Sequence, residues 1–461
     1  GAASYMNISS YIDIMSKSRF PLSMPEGTGL MAHLEKGERG YASVPRTGAR
    51  EVHTFRVEEG RLAVPPGLEK RLGLDPGAGV EVVFNGGRAE ILPNIHSLNR
   101  LYVEPTSRCN LACRTCIRNT WEEPTGDMDM AVFGRLVSQL ARFPHLESVM
   151  FGGFGEPTAH PRILDMVRAV KSLGLRAEMT TNATLLDDAL VDGLLRERLD
   201  TLWISLDGTT EESFEAVRQG ASLSRVLENV DRLGRRNGRD GRAIEVGIAF
   251  VVMKTNLGDV KHLDRLARSV GARRILVSHV LPYSEAMEKE MLCLQTLTLE
   301  TFTFAPGKTE LSLPRIDVNN TTKEALFSLF QGFENLSFMG NRVAVDARRC
   351  RFVHERTAFV RWDGQVAPCM GLLHSHRTFL YGLERQVRSH AFGDVRAGDL
   401  LDIWNSPAYG DFRDKVKTFD FSPCHVCGGC SLLEKNEEDC YGNAFPACGG
   451  CLWAQGIIQC P

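Results

Sequence analysis

Cysteine placement constrains this chain more than any other feature. Thirteen cysteines occur in 461 residues, and seven of them fall between Cys424 and Cys460. In a short secreted chain such density implies a disulfide framework. Here the chain is long and the count is odd, so ligation of metal by thiolates is the expectation. Cys109, Cys113 and Cys116 form a separate Cys-x3-Cys-x2-Cys group. Three thiolates at that spacing can take three corners of a 4Fe–4S cube and leave the fourth iron open to an outside ligand. A structural zinc completed by a histidine is the alternative reading. Cys293, between Leu292 and Leu294, reads as a buried thiol acting as a small apolar residue.

Length alone suggests about two to four domains. Hydrophobic residues make up 43% and charged residues 24%, which suits a globular chain with a large core. The net charge of -3 offers no basic field for nucleic acid. No apolar run reaches the ~18 residues of a membrane-spanning helix. The start, Gly1-Ala2-Ala3-Ser4, reads as an expression scar with Met6 as the native start, and it has no secretory apolar stretch. A cytoplasmic location is expected.

Residues 1–52 lack a sustained period and read as an arm. Residues 53–95 read as a small β-rich docking domain: strands at 61–64, 80–84 and 89–92, a short helix at 66–72, and an Asn85-Gly86-Gly87 hairpin signal. Residues 96–300 alternate apolar runs (101–103, 148–151, 178–181, 201–205, 245–252, 274–277) with helical patterns (131–142, 161–173, 187–195, 223–235, 263–269). Regular alternation implies an α/β fold with a parallel sheet, and places the active site at the C-terminal strand ends. Residues 301–345 read as a bridge, and 346–461 as a cysteine-rich domain.

Strand ends carry the other candidate residues. Gly152, Gly153, Gly155 and Glu156 follow the second strand; glycines there let backbone approach a ligand closely. Asn182 closes the third strand, and Ser205 and Asp207 close the fourth. Val252 to Asn256 and His279 to Pro282 end later strands and read equally as structural. The C-terminal thiols are Cys350, Cys369, Cys424, Cys427, Cys430, Cys440, Cys448, Cys451 and Cys460. Two fully ligated 4Fe–4S clusters need eight thiolates, so one is spare; a zinc ribbon is the alternative.

The Cys109, Cys113, Cys116 motif after a strand resembles the signature of the radical S-adenosylmethionine (SAM) superfamily, with Thr115 where many members carry an aromatic residue. The resemblance implies a partial (β/α)6 barrel and SAM bound by its amine and carboxylate on the open iron. It implies a Gly152-Gly153-Phe154-Gly155-Glu156 loop near the SAM ammonium, and Ser205 with Asp207 near the SAM ribose and carboxylate. Gly364-x4-Cys369 with the later Cys-x2-Cys groups resembles the SPASM domain, which implies two auxiliary 4Fe–4S clusters. Stretches around Trp121 and Cys448 to Cys460 look like the maturases that accompany tungsten-cofactor oxidoreductases. The implied activity is reductive SAM cleavage to a 5′-deoxyadenosyl radical and hydrogen abstraction from a peptide or protein. Modification of a ribosomally made peptide is a second reading. Reduced flavodoxin or ferredoxin is the implied electron donor.

The 61–82 stretch resembles the swapped-hairpin barrel of transition-state regulators and antitoxins, which bind DNA as dimers. A redox-sensing DNA-binding regulator is therefore a third reading. The segment lacks a basic stripe, so a dimer or docking contact through residues 53–93 is expected in place of DNA.

Overall fold

The computed structural model describes residues 56–461 apart from short segments at 59–60, 64–67, 76–80, 86–87, 238–243, 295–309, 315, 318, 333–334, 339–340, 343–349 and 425–429. The chain divides into two units, Gly1–Gly79 and Val80–Pro461. In the first, β1 (Arg56–Glu58) pairs antiparallel with β2 (Arg61–Ala63), and a short helix spans Leu68–Leu72.

The second unit opens with a hairpin, β3 (Glu81–Asn85) and β4 (Arg88–Leu92), in register through Asn85 opposite Arg88. Six parallel strands follow: β5 (Arg100–Val103), β6 (Ser148–Phe151), β7 (Arg176–Thr181), β8 (Thr201–Ser205), β9 (Glu245–Val252) and β10 (Arg274–His279). Helices such as Met130–Leu140, Ile163–Ser172, Asp188–Arg196 and Leu223–Arg236 return the chain between them. These crossovers give the partial (β/α)6 barrel. Every residue of β6 is buried, as expected of a parallel strand covered on both faces. Local signals start the helices: Asp129 accepts from Ala131 N, Asp187 from Leu190 N, and Thr210 with Ser213 forms a capping box.

Residues 310–342 hold a small three-stranded sheet of β11 (Glu310–Leu313), β12 (Asn335–Phe338) and β13 (Asn341–Arg342), so the expected bridge contains structure of its own. The C-terminal region is built onto the barrel. Its first strand, β14 (Thr357–Val360), pairs parallel with β5. β15 (Gln365–Ala367) and β18 (Gly393–Asp394) extend the same sheet. β16 (His376–Leu380) and β17 (Leu383–Val387) form a separate hairpin. At the opposite edge of the sheet, His279 N donates to Ile457 O at 3.2 Å and Gln459 N to Ser278 Oγ at 2.9 Å.

The core also begins earlier than residue 96. Ile95 is 3% exposed and belongs to the same apolar cluster as the barrel strands, and Trp404 Nε1 donates to His96 O at 2.7 Å. Among the described residues no helix is long and apolar enough to cross a membrane.

Candidate active site

β5 ends at Val103, and the chain then runs through buried Glu104 into the loop that carries Cys109, Cys113 and Cys116. That loop is tied to the segment after β8: Ala112 N donates to Gln219 O and Arg114 N to Val217 O. All three thiols are free and partly buried. Burial raises the Cys113 thiol, with Arg218 opposing, and pushes Cys116 up to about 11. Asn182 Nδ2 lies 3.9 Å from Cys109 Sγ. Three thiols on one irregular loop, faced by an amide and a buried guanidinium, suit a thiolate-ligated anionic cluster, because donors and positive charge stabilise thiolate sulfur.

The glycine loop lies beside them. Gly153 has φ +132°, and a Cβ there would meet Glu104 Cγ at 2.6 Å. A Cβ on Gly155 would meet the Thr106 carbonyl oxygen at 1.9 Å. Glycine is therefore required at Gly155 for the loop to lie against the strand of chain leading to Cys109. Glu156 N donates to Arg108 O at 2.8 Å, which joins the two loops directly.

A cavity of about 250 Å³ opens at this end of the sheet. Gly152, Gly153, Ser205, Thr115 and Cys116 line it, with Thr180 from the tip of β7. Its other wall comes from Trp453 and residues 458–461, in the stretch that the sequence marked by its cysteines and not as part of this cavity. Phe250 and Val251 of β9 and Ser278 and His279 of β10 complete it.

Three of the expected residues point elsewhere. Glu156 is buried, and its carboxylate accepts from Thr158 N, Thr181 Oγ1 and Asn182 N at 3.1, 2.7 and 2.7 Å. It staples the glycine loop to the end of β7. Asp207 is fully buried, accepts from Val251 N at 2.8 Å and pairs with Arg218 at 2.8 Å. Asp207 therefore anchors Arg218, whose charge is held by Asp207, Cys113 and Cys109 against burial. Arg218 is a residue that the sequence reading missed, since a lone arginine after a helix carries no local signal. Asn182 donates to Asn110 Oδ1 at 3.0 Å, beside Cys109.

The C-terminal thiols gather in sets. Burial pushes Cys350 up to about 12, and it raises Cys369 and Cys448 well above the usual thiol range. Cys451 adds to the rise at all three, and Cys350 to that of Cys369 and Cys448. Four buried thiols in one another's field fit ligation to a cluster, which removes their protons and spreads the charge. Cys440 is an electrostatic neighbour of Cys424. Cys430 is exposed, and Cys427 lies outside the described residues. Cys460 stands apart: it lines the barrel cavity, and Trp453, Arg351 and Arg100 are the groups that lower its thiol against burial. Cys293 is buried, its thiol pushed up to about 11 by desolvation, as expected of an apolar filler.

Two family models match the chain. The radical SAM superfamily matches residues 103–267, and the iron–sulfur cluster-binding SPASM domain matches residues 350–431. The chain is 32% identical over 366 residues to the tungsten-containing aldehyde ferredoxin oxidoreductase cofactor-modifying protein of Pyrococcus furiosus, covering 78% of this chain and 96% of that protein. It is 27% identical over 354 residues to a PqqA peptide cyclase of Gluconobacter oxydans, covering 76% of this chain and 87% of that one. Among solved structures, Streptococcus suis SuiB bound to precursor peptide SuiA aligns at 19% identity with a TM-score of 0.45, covering 75% of this chain and 72% of the other.

Proposed function

Given that the chain belongs to the radical SAM superfamily of enzymes and carries a SPASM iron–sulfur domain, we propose that it cleaves SAM reductively and modifies a peptide or protein by hydrogen abstraction. A 4Fe–4S cluster on Cys109, Cys113 and Cys116 would supply the electron that splits the SAM sulfonium into methionine and a 5′-deoxyadenosyl radical.

The chain's own residues then have separable tasks. Gly152 and Gly153 present backbone to the cavity, where a SAM ammonium and carboxylate need donors and acceptors without side-chain obstruction. Ser205 offers a hydroxyl to the ribose. Glu156 and Gly155 hold the loop in shape, and Asn182 and Arg218 face the thiols. The aliphatic and aromatic lining, with Phe250, Leu281 and Ile458, keeps water from a reactive radical. The observation that carries the reading is the meeting of the three-thiol loop and the glycine loop at one cavity, joined through Glu156 N and Arg108 O.

The natural substrate class we infer is a partner oxidoreductase of the tungsten type, or a peptide needed for its cofactor. The support is the 32% identity over 96% of the Pyrococcus furiosus protein. A cytoplasmic setting with reduced flavodoxin or ferredoxin as donor fits a cluster that must be reduced. Two auxiliary clusters divide the remaining thiols as Cys350, Cys369, Cys448 and Cys451 in one set and Cys424, Cys427, Cys430 and Cys440 in the other, with Cys460 spare.

The test is anaerobic turnover with dithionite and SAM, with 5′-deoxyadenosine read by mass spectrometry. Wild type should produce it and contain about twelve irons, four per cube. The Cys109, Cys113, Cys116 triple alanine variant should hold about eight and produce none. Undiminished cleavage by that variant would move the radical site elsewhere.

A further inference from the structure

Arg385 lies on β17 and is 8% exposed. It lines two cavities. One is lined by Cys369, Cys448 and Cys451, and the other by Cys424. The Cys448-Gly449-Gly450-Cys451 loop runs past it. A Cβ on Gly450 would sit 1.5 Å from Arg385 Nη1, and a Cβ on Gly449 would sit 3.5 Å from Cys424 Sγ. Gly450 leaves the guanidinium its place, and a Cβ on Gly449 would meet the Ser422 carbonyl oxygen at 1.9 Å, so the loop lies against the chain that leads to Cys424 only with glycine there.

A buried guanidinium needs anions. Arg385 Nε and Nη1 have no hydrogen-bond partner among the described residues. Nη2 reaches only the Ala447 carbonyl oxygen, at 3.5 Å. The groups whose field reaches it are the thiols of Cys424, Cys451 and Cys448. No carboxylate pairs with it among the described residues. A bare buried cation of this kind is costly to the fold. A second polar atom in the first cavity is also unpaired: His376 Nε2, in a side chain 3% exposed. A cube of iron and sulfide held by four thiolates carries net negative charge in its oxidised and reduced states. It supplies the missing anion, on both sides of Arg385.

We propose that Arg385 is a cationic partner shared by the two auxiliary clusters, one charge that raises the reduction potential of both. The inference rests on the auxiliary-cluster reading given above. Its physical basis is direct: a reduced cluster carries one more negative charge than the oxidised one. A nearby fixed cation therefore stabilises the reduced state more. Net charge and hydrogen bonds to sulfur are established levers on cluster potential. Gly450 is what lets the charge sit between the two sites.

The experiment uses the full chain, reconstituted anaerobically, in a redox titration followed by electron paramagnetic resonance. Arg385→Met removes the charge and keeps an unbranched, though shorter, side chain. Both auxiliary midpoints should fall by the equivalent of at least a tenfold change in the reduction equilibrium, about 59 mV for one electron. The Cys109, Cys113, Cys116 cluster should titrate as in wild type. Arg385→Lys keeps the charge and should restore most of the shift. A fully loaded Arg385→Met protein with wild-type auxiliary midpoints overturns the proposal. If Arg385→Met loses iron, Arg385→Lys decides: retained iron at near wild-type potentials supports the charge, and equal iron loss in a folded Lys variant overturns it. Wild-type protein with about four irons and no auxiliary signals would instead remove the auxiliary clusters themselves, an outcome separate from clusters that titrate but ignore the substitution.

Discussion

His374 Nε2 lies 2.9 Å from a carboxylate oxygen of Glu104, and the two side chains are 0% and 1% exposed. The pair joins the C-terminal region to the end of β5. The other Glu104 oxygen accepts from Phe154 N at 3.1 Å, so His374 is two hydrogen bonds from the glycine loop. Its Nδ1 lies 2.8 Å from Glu123, which also accepts from Ser375 N and pairs with Arg361. Trp121 stacks on the ring at 4.1 Å between centroids.

This arrangement sets a pH dependence. Burial opposes charge on His374, but hydrogen bonds to Glu104 and Glu123 outweigh it and raise its affinity for a proton. The stabilisation is thus complete below the ordinary histidine value of ~6.5 and lost as pH rises through the raised folded value. Glu123 is held down to about 2, burial opposing and the His374 bond lowering it. Its share is lost as pH falls from ~4.3 toward that value. His374→Gln should lower the melting temperature most below about pH 6.5, and the gap to wild type should narrow as pH rises into alkali. A gap that stays constant from pH 6 to 10 would mean that His374 acts by packing alone.

Gly155→Ala should damage SAM binding more than Gly152→Ala. A Cβ at 155 strikes backbone, the Thr106 carbonyl, whereas one at 152 meets the Thr180 hydroxyl at 3.2 Å. Overpacking against backbone that cannot rotate away costs about 1–3 kcal/mol. Equilibrium dialysis with SAM on cluster-loaded protein measures the difference. Equal affinities for the two variants would show that the loop tolerates displacement.

Asp207→Asn should act on the cluster loop more than on SAM itself. The substitution leaves buried Arg218 without its carboxylate, at 2.8 Å in the native pair, and breaking a buried pair costs about 3–5 kcal/mol. Iron content of the SAM-cluster site and thermal stability should fall together. A stable variant with full iron and weakened SAM affinity would return Asp207 to the ribose-binding role.

Deleting residues 1–79 should leave uncoupled SAM cleavage intact, because the core that surrounds the cavity starts with Ile95 and Leu98. Oligomeric state or modification of the natural substrate should suffer instead. Size-exclusion chromatography and 5′-deoxyadenosine production on the same preparation test both halves. Loss of cleavage with full clusters would make the first unit part of the SAM site.

Local pattern determined much of this protein. β6, β8 and β9 occupy the same residues that the apolar runs 148–151, 201–205 and 245–252 announce. Strands buried on both faces declare themselves residue by residue. Cysteine spacing and the glycine loop announced the chemistry for a similar reason, since ligands on one loop must be close in sequence. Tertiary structure decided the rest. Asp207 and Glu156 carry the residue types a ligand would want, yet each meets its partner inside the fold, Arg218 and Thr181. His374 finds Glu104 across 270 positions, and Arg385 meets the Cys448–Cys451 loop only because β17 packs there. Period and spacing are properties of neighbours in sequence. The partner of a buried charge is whatever packing brings beside it, and no local pattern encodes that.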